Sequence, residues 1–232
     1  MALSDPFDRV TESVLPDDID KDVLAQFRSL ARGANVRTGQ TAIKANGVDQ
    51  IAYIASGSSK MVAHASGGRE QIVSFQFAGD LVSVPSRTAH AFTITALQPS
   101  ELLHFNADPF FELAGLQSGL VVAMMERAYV SLGHCREKSI TLGRTSAQEK
   151  VAGFLLAMAD RIGVMDGSQW VLNLPMSRRD IADTLGLSIE TVSRQVTALR
   201  EEGLLSTKGR SIIRLSDKAE LNARAGNLPI NA

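Results

Sequence analysis

The chain runs to 232 residues, 44% hydrophobic and 21% charged, with a formal net charge of −1 and a single cysteine. That is material for two domains or one large one; no run of eighteen apolar residues is present to span a bilayer, and near-neutral charge argues against a histone-like binder working through bulk charge. Cys135 alone cannot close an intrachain disulfide, and the acidic, polar N-terminus lacks a signal-peptide pattern, so the expected setting is the reducing cytoplasm, with no membrane partner.

Residues 1–15 read as a loose leader. Pro16 to Ala31 reads as a short amphipathic helix, because Ile19, Val23 and Phe27 recur every four residues. From Val36 to Phe105 the pattern changes to short runs of Val, Ile and Phe punctuated by Gly and Asn. Strands are expected at Gln50–Ser56, Lys60–Ala65, Gln71–Phe77, Ala91–Leu97 and Leu102–Asn106, with turns at Gly39, Asn46-Gly47, Gly57, Gly67-Gly68 and Gly79-Asp80. Several short strands at this spacing predict an all-β sandwich or small barrel.

Asp108-Pro109 opens a long helix expected to run to about Lys138. Leu113, Leu116, Leu120, Ala123, Arg127 and Val130 alternate at 3,4 spacing, the pattern of a coiled-coil seam. Val121, Met124 and Ala128 form a second line beside it. Two apolar lines predict two packing partners, the chain's own β domain and a second copy of the chain. Arg127 interrupts the seam; it can set register or pair with Glu126 of the partner subunit, or it can mean that the seam is rotated. Cys135, near the end of this helix and flanked by Arg136 and Lys138, is a candidate redox thiol, the plain alternative being an inert helix cysteine.

Thr145 and Gln148 have the spacing of a capping box for the next helix, whose buried face would be Val151, Phe154, Leu155, Met158 and Ile162. Asp166-Gly167 turns the chain, and Trp170–Leu174 reads as a strand. Residues 177–203 then carry the densest signal. Ser177 can cap a helix with Asp180 in its first turn and Ile181, Ala182 and Leu185 as its buried stripe. Gly186 falls where a turn needs positive φ, and Leu187 plugs the corner. Ser188 caps a second helix with Val192, Val196 and Leu199 on one face. This is the register of a helix-turn-helix, whose second helix enters the DNA major groove. The opposite face presents Glu190, Ser193 and Arg194. Arg can bond guanine O6 and N7, and a carboxylate can accept from cytosine N4; at i,i+4 the two can also bond each other. After Gly203, Leu204-Leu205 and Ile212-Ile213 flank Lys208-Gly209-Arg210, a hairpin wing whose basic tip suits phosphates or is a solvated turn. Between 174 and 214, seven basic residues face five acids, so placement matters more than net charge. The tail from Asp217 reads as helical.

The layout resembles the CRP/FNR family of bacterial transcription regulators over about residues 20–220. The residues that carry it are Phe77-Ala78-Gly79-Asp80-Leu81-Val82, Leu142-Gly143-Arg144 with Ala147-Gln148-Glu149-Lys150, Leu174-Pro175-Met176-Ser177-Arg178, and Glu190-Thr191-Val192-Ser193-Arg194. The last is similar to the E-x-x-S-R signature of the FNR/FixK branch. The resemblance implies an α+β fold: a leader and jelly-roll-like β-roll sensor domain at 1–107, a dimerisation helix and hinge at 108–143, and a C-terminal winged helix-turn-helix at 144–232.

It also implies a homodimer on double-stranded DNA, at an inverted repeat such as TTGAT-N4-ATCAA, working with RNA polymerase as an activator in low-oxygen or nitrogen-oxide metabolism. Arg194 would read the guanine, Glu190 the adjoining opposite strand and Ser193 a thymine or phosphate. Ser177, Arg178, Thr191, Lys208 and Arg210 would hold the backbone. One cysteine cannot supply the four thiolates of an iron–sulfur centre. The cyclic-AMP receptors' Gly-Glu-Leu cradle and Arg-Ser pair have only Gly79-Asp80-Leu81 and Arg87-Thr88 as counterparts. A regulator without cofactor is therefore expected, a cyclic-nucleotide- or haem-gated member being the alternative. His64, His90, His104 and His134 lack local metal-ligand spacing, so neither a metal site nor an enzyme is expected.

Overall fold

The computed structural model describes residues 5–16, 18–144 and 146–227. The chain divides into two compact units, Met1–Ser131 and Leu132–Ala232.

The first unit begins with two helices, α1 (Pro6–Val14) and α2 (Lys21–Leu30). The expectation of a loose leader is corrected here. Asp5 caps α1, accepting the Phe7 amide at 3.0 Å, and Pro6 starts the helix with φ already set. Phe7, Val10 and Val14, at 3,4 spacing, are buried. Arg9 ties the helix down through Glu101 and the Ala55 carbonyl, and Ser13 bonds the Tyr53 hydroxyl at 2.8 Å. α2 starts at Lys21 rather than Pro16, because Asp20 accepts the amides of Asp22 and Val23.

Eight strands follow: β1 (Arg32–Val36), β2 (Thr41–Lys44), β3 (Gln50–Ser56), β4 (Ser58–His64), β5 (Glu70–Phe77), β6 (Leu81–Val84), β7 (Ala91–Ala96) and β8 (Ser100–Asn106). They form two antiparallel four-stranded sheets, ordered β1-β8-β3-β6 and β2-β7-β4-β5. β3 reads as an unbroken apolar run because both of its faces are buried. Ile51, Tyr53 and Ala55 pack under the helices, whereas Ala52 and Ile54 join a second core with Ile43, Met61 and Ile94. β1, β2 and β6 were not expected. They are only four or five residues long, and their pairing partners make them strands.

The single long helix expected from Asp108 is two: α3 (Ala107–Gly115) and α4 (Ser118–Gly143). The break falls at Leu116-Gln117 between Gly115 and Gly119, where helix propensity is weakest, and the Gln117 carbonyl accepts the Leu120 and Val121 amides to start α4. α3 lies against α2 through Phe110, whose ring sits 5.3 Å from that of Phe27.

The second unit contains the last turns of α4 and then α5 (Ala147–Ile162), β9 (Val164–Asp166), β10 (Gln169–Asn173), α6 (Arg178–Leu185), α7 (Ile189–Glu201), β11 (Leu205–Lys208), β12 (Ile212–Leu215) and α8 (Lys218–Arg224). Thr145, proposed above as a cap, lies outside the described residues. The capping box of α5 is made by Ser146 and Glu149. The four strands form one antiparallel sheet, β11-β12-β10-β9.

Candidate nucleic-acid interface

Local chemistry builds the helix-turn-helix. The Ser177 hydroxyl accepts the Asp180 amide at 3.2 Å, while the Asp180 carboxylate takes the Ser177 amide at 2.9 Å and its hydroxyl at 2.6 Å. α6 ends at Gly186, whose φ of 65° and ψ of 40° are left-handed. Ser188 then accepts the Thr191 amide at 3.1 Å and starts α7. Val192, Val196 and Leu199 are buried, which turns Glu190, Ser193 and Arg194 outward, all three exposed.

The electrostatics differ from a simple Glu–Arg pair. The Glu190 carboxyl is held below the ordinary range first by its own backbone amide, next by the Ser188 hydroxyl, and then by the charges of Arg194 and Arg179. No salt bridge joins Glu190 to Arg194 among the described residues, so the guanidinium is presented with its donors unspent. Arg179, exposed on α6, is a member of this cluster that the sequence reading missed. The doublet Arg178-Arg179 at the head of a capped helix was the available signal.

The proposed backbone contacts divide by what they already do. Arg178 is half-buried, its Nη1 is shielded from solvent with no hydrogen-bond partner, and burial holds its pKa below the ordinary arginine value. The hydroxyl proton of Ser177 is committed to Asp180, which leaves Ser177 a capping role rather than a phosphate bond. Thr191 shares its hydroxyl with Ser188 at 3.0 Å. Lys208 and Arg210 are exposed at the β11–β12 turn, where Gly209 has φ of 68°.

The expected seam residues fall on different surfaces. Leu113 lies on α3, and Leu116 sits in the break, 65% exposed. Leu120 is 0% exposed within its own subunit, and Met124 packs on the same core. Arg127 bonds the carbonyls of Gly79 and Ser13 in its own chain. Ala123 is half-buried beside them, and Val130 lies exposed on the flank. The polar interruption at Arg127 marks the face that packs on the chain's own core. The open face carries Val122, Met125, Tyr129 and Leu132 at 3,4,3 spacing, with Met125 67% and Tyr129 73% exposed. Cys135 is exposed one position before Arg136, which continues that spacing, so it flanks the open face rather than lying along its centre.

The turn where a cyclic nucleotide's phosphate would sit does not fit that group. The Asp80 carboxylate closes its own turn, accepting the Phe77 amide at 2.8 Å. Arg87 is exposed and lies 3.7 Å from the Asp108 carboxylate. The buried polar groups Ser59 and Gln76 bond each other at 3.2 Å, and Gln76 donates to Ser74 at 2.6 Å. His64 is engaged by Thr93 and Glu70, and His104 by Gln50; burial, then Arg32, pushes the His104 pKa down. No helix among the described residues is long and apolar enough to cross a membrane.

Comparisons with known proteins agree with this fold. Residues 149–224 match the Crp-like helix-turn-helix domain and residues 34–115 the cyclic nucleotide-binding domain. The nitrogen fixation regulation protein FixK of Bradyrhizobium diazoefficiens is 32% identical over 85% of this chain and 84% of its own length. The transcriptional activator protein FnrL of Cereibacter sphaeroides is 30% identical over 90% of this chain and 86% of its own. The structure of FixK2 from Bradyrhizobium japonicum superposes with a TM-score of 0.73 at 27% identity, covering 87% of this chain and 99% of that one.

Proposed function

Because the chain belongs to the CRP/FNR family of DNA-binding transcription regulators, we propose that it is a homodimeric activator that reads an inverted repeat of the TTGAT-N4-ATCAA type. The observation that carries this reading is the outward face of α7, where Glu190, Ser193 and Arg194 stand exposed above a buried stripe. Arg194 takes the guanine through O6 and N7, Glu190 accepts from the neighbouring cytosine, and Arg178 with the Lys208–Arg210 tip holds phosphates. The open face of α4 joins two subunits and so presents two recognition helices to two half-sites. Activation runs through contact with RNA polymerase in the cytoplasm. The regulated genes belong to low-oxygen or nitrogen-oxide metabolism, a reading supported by likeness to the nitrogen fixation regulation protein FixK. The closed Gly79-Asp80 turn favours binding without a cyclic nucleotide.

The test is selection of bound sites from random DNA, without added ligand, by the wild type and by Arg194→Ala. The wild type is expected to return a palindrome. The variant should lose about 1–3 kcal/mol per half-site and relax its preference at the guanine. Equal loss on specific and random DNA would sink base reading by Arg194, and a strict need for cyclic AMP would sink the ligand-free reading.

A further inference from the structure

The last turns of α4 and the residue that follows it are fastened to the rest of the second unit at three successive points. Lys138 Nζ donates to Thr184 Oγ1 of α6 at 3.3 Å. Three residues on, Thr141 is buried against α5 at Gly153, where even a Cβ would come within 3.2 Å of its hydroxyl. Three residues further, Arg144 donates through Nη2 to the Asn227 side-chain oxygen. Asn227 is in turn bound to Asn222 of α8, by its side-chain amide at 2.8 Å and by its backbone amide at 3.1 Å. The guanidinium also lies beside Gly153, its Cζ 3.8 Å from where a Cβ would stand. Each contact reaches a different element, so together they oppose bending and twisting of α4 against the module that holds the recognition helix.

We infer that Lys138, Thr141 and Arg144 are spacing determinants, fixing α4 to the recognition module so that a dimer accepts one half-site separation and rejects its neighbours. The inference rests on the homodimer reading above. Its physical need follows from DNA geometry. Adding one base pair between half-sites moves the second by roughly 3.4 Å and turns it by roughly 35°. An arm joined only by its backbone would follow that turn at little cost, whereas one held at three places cannot.

The experiment measures binding of the full chain to palindromes whose spacers run from two to six base pairs, with sedimentation to report the dimer. Variants are Arg144→Ala, Lys138→Met and, as the conservative control, Arg144→Lys, which keeps a donor for Asn227. Wild type should favour its best spacer at least tenfold over either neighbour. Arg144→Ala and Lys138→Met should keep the half-site preference and the dimer yet reduce that ratio to threefold or less, with Arg144→Lys nearer wild type. A residue that merely supports the fold would weaken all spacers alike, so an unchanged ratio in a folded Lys138→Met or Arg144→Ala overturns the inference. A wild type that stays monomeric, or binds single half-sites as tightly as palindromes, instead removes the homodimer reading, and this inference with it.

Discussion

Met125→Glu and Leu120→Ala separate the two faces of α4. Leu120 is fully buried in its own subunit, so truncation leaves a cavity that should cost about 2–5 kcal/mol of folding stability. Met125 is 67% exposed in the single chain, and its replacement should change subunit folding by no more than about 0.5 kcal/mol. In a symmetric dimer Met125 is buried twice. Each copy contributes about 1.5–3 kcal/mol, so the pair supplies about 3–6 kcal/mol, before counting repulsion between two carboxylates placed on the seam. The dissociation constant of Met125→Glu should therefore rise on the order of 10²–10⁴-fold. Sedimentation equilibrium reads dissociation, and thermal melting reads subunit stability. Met125→Glu should melt normally as a monomer, whereas Leu120→Ala should melt early. A Met125→Glu dimer of wild-type affinity would refute the rotated seam. So would a Leu120→Ala protein that dissociates without losing folding stability.

Three further outcomes follow from groups in the second unit. Burial, partly offset by Cys135, holds Lys138 at about 8, so between roughly pH 8 and 10.4 the unfolded chain binds a proton that the folded chain has released. Stability from this group therefore rises with pH across that window, by roughly 3 kcal/mol in full, and Lys138→Met should remove that rise from a pH series of denaturant melts. Ser177→Ala breaks the capping box and should cost about 1 kcal/mol, seen as a lower melting temperature of the second unit; an unchanged melt would show the cap to be unimportant. Arg178→Ala removes a donor with no partner in the free protein, so it should leave stability intact, weaken binding evenly across DNA sequences and lower the salt slope by about 1.

What the sequence disclosed tracks how local each signal is. The helix-turn-helix was legible to the residue because its caps, its left-handed glycine and its buried stripe each act within four positions of one another. β3 was legible because burial on both faces leaves an uninterrupted apolar run. β1, by contrast, has the sequence Arg-Gly-Ala-Asn-Val, and only its ladder to β8 makes it a strand. α1 was missed although Phe7, Val10 and Val14 already carried helical spacing; the charges between them suggested solvent, and the ion pair of Arg9 with Glu101 joins residues far apart in the chain.

α4 shows the limit most plainly, because it bears apolar residues around most of its circumference. Periodicity finds such lines but does not say which one the chain's own core has claimed. The deciding residue was Arg127. A cation on a dimer seam and a cation bonded to two home carbonyls have the same spacing; only the partners Ser13 and Gly79 distinguish them. Once that side is spent, the opposite line from Val122 to Leu132 is left in water with no polar residue at its 3,4,3 positions. Water is a poor environment for four such side chains, and a second copy of the same helix is a surface whose periodicity matches theirs by construction.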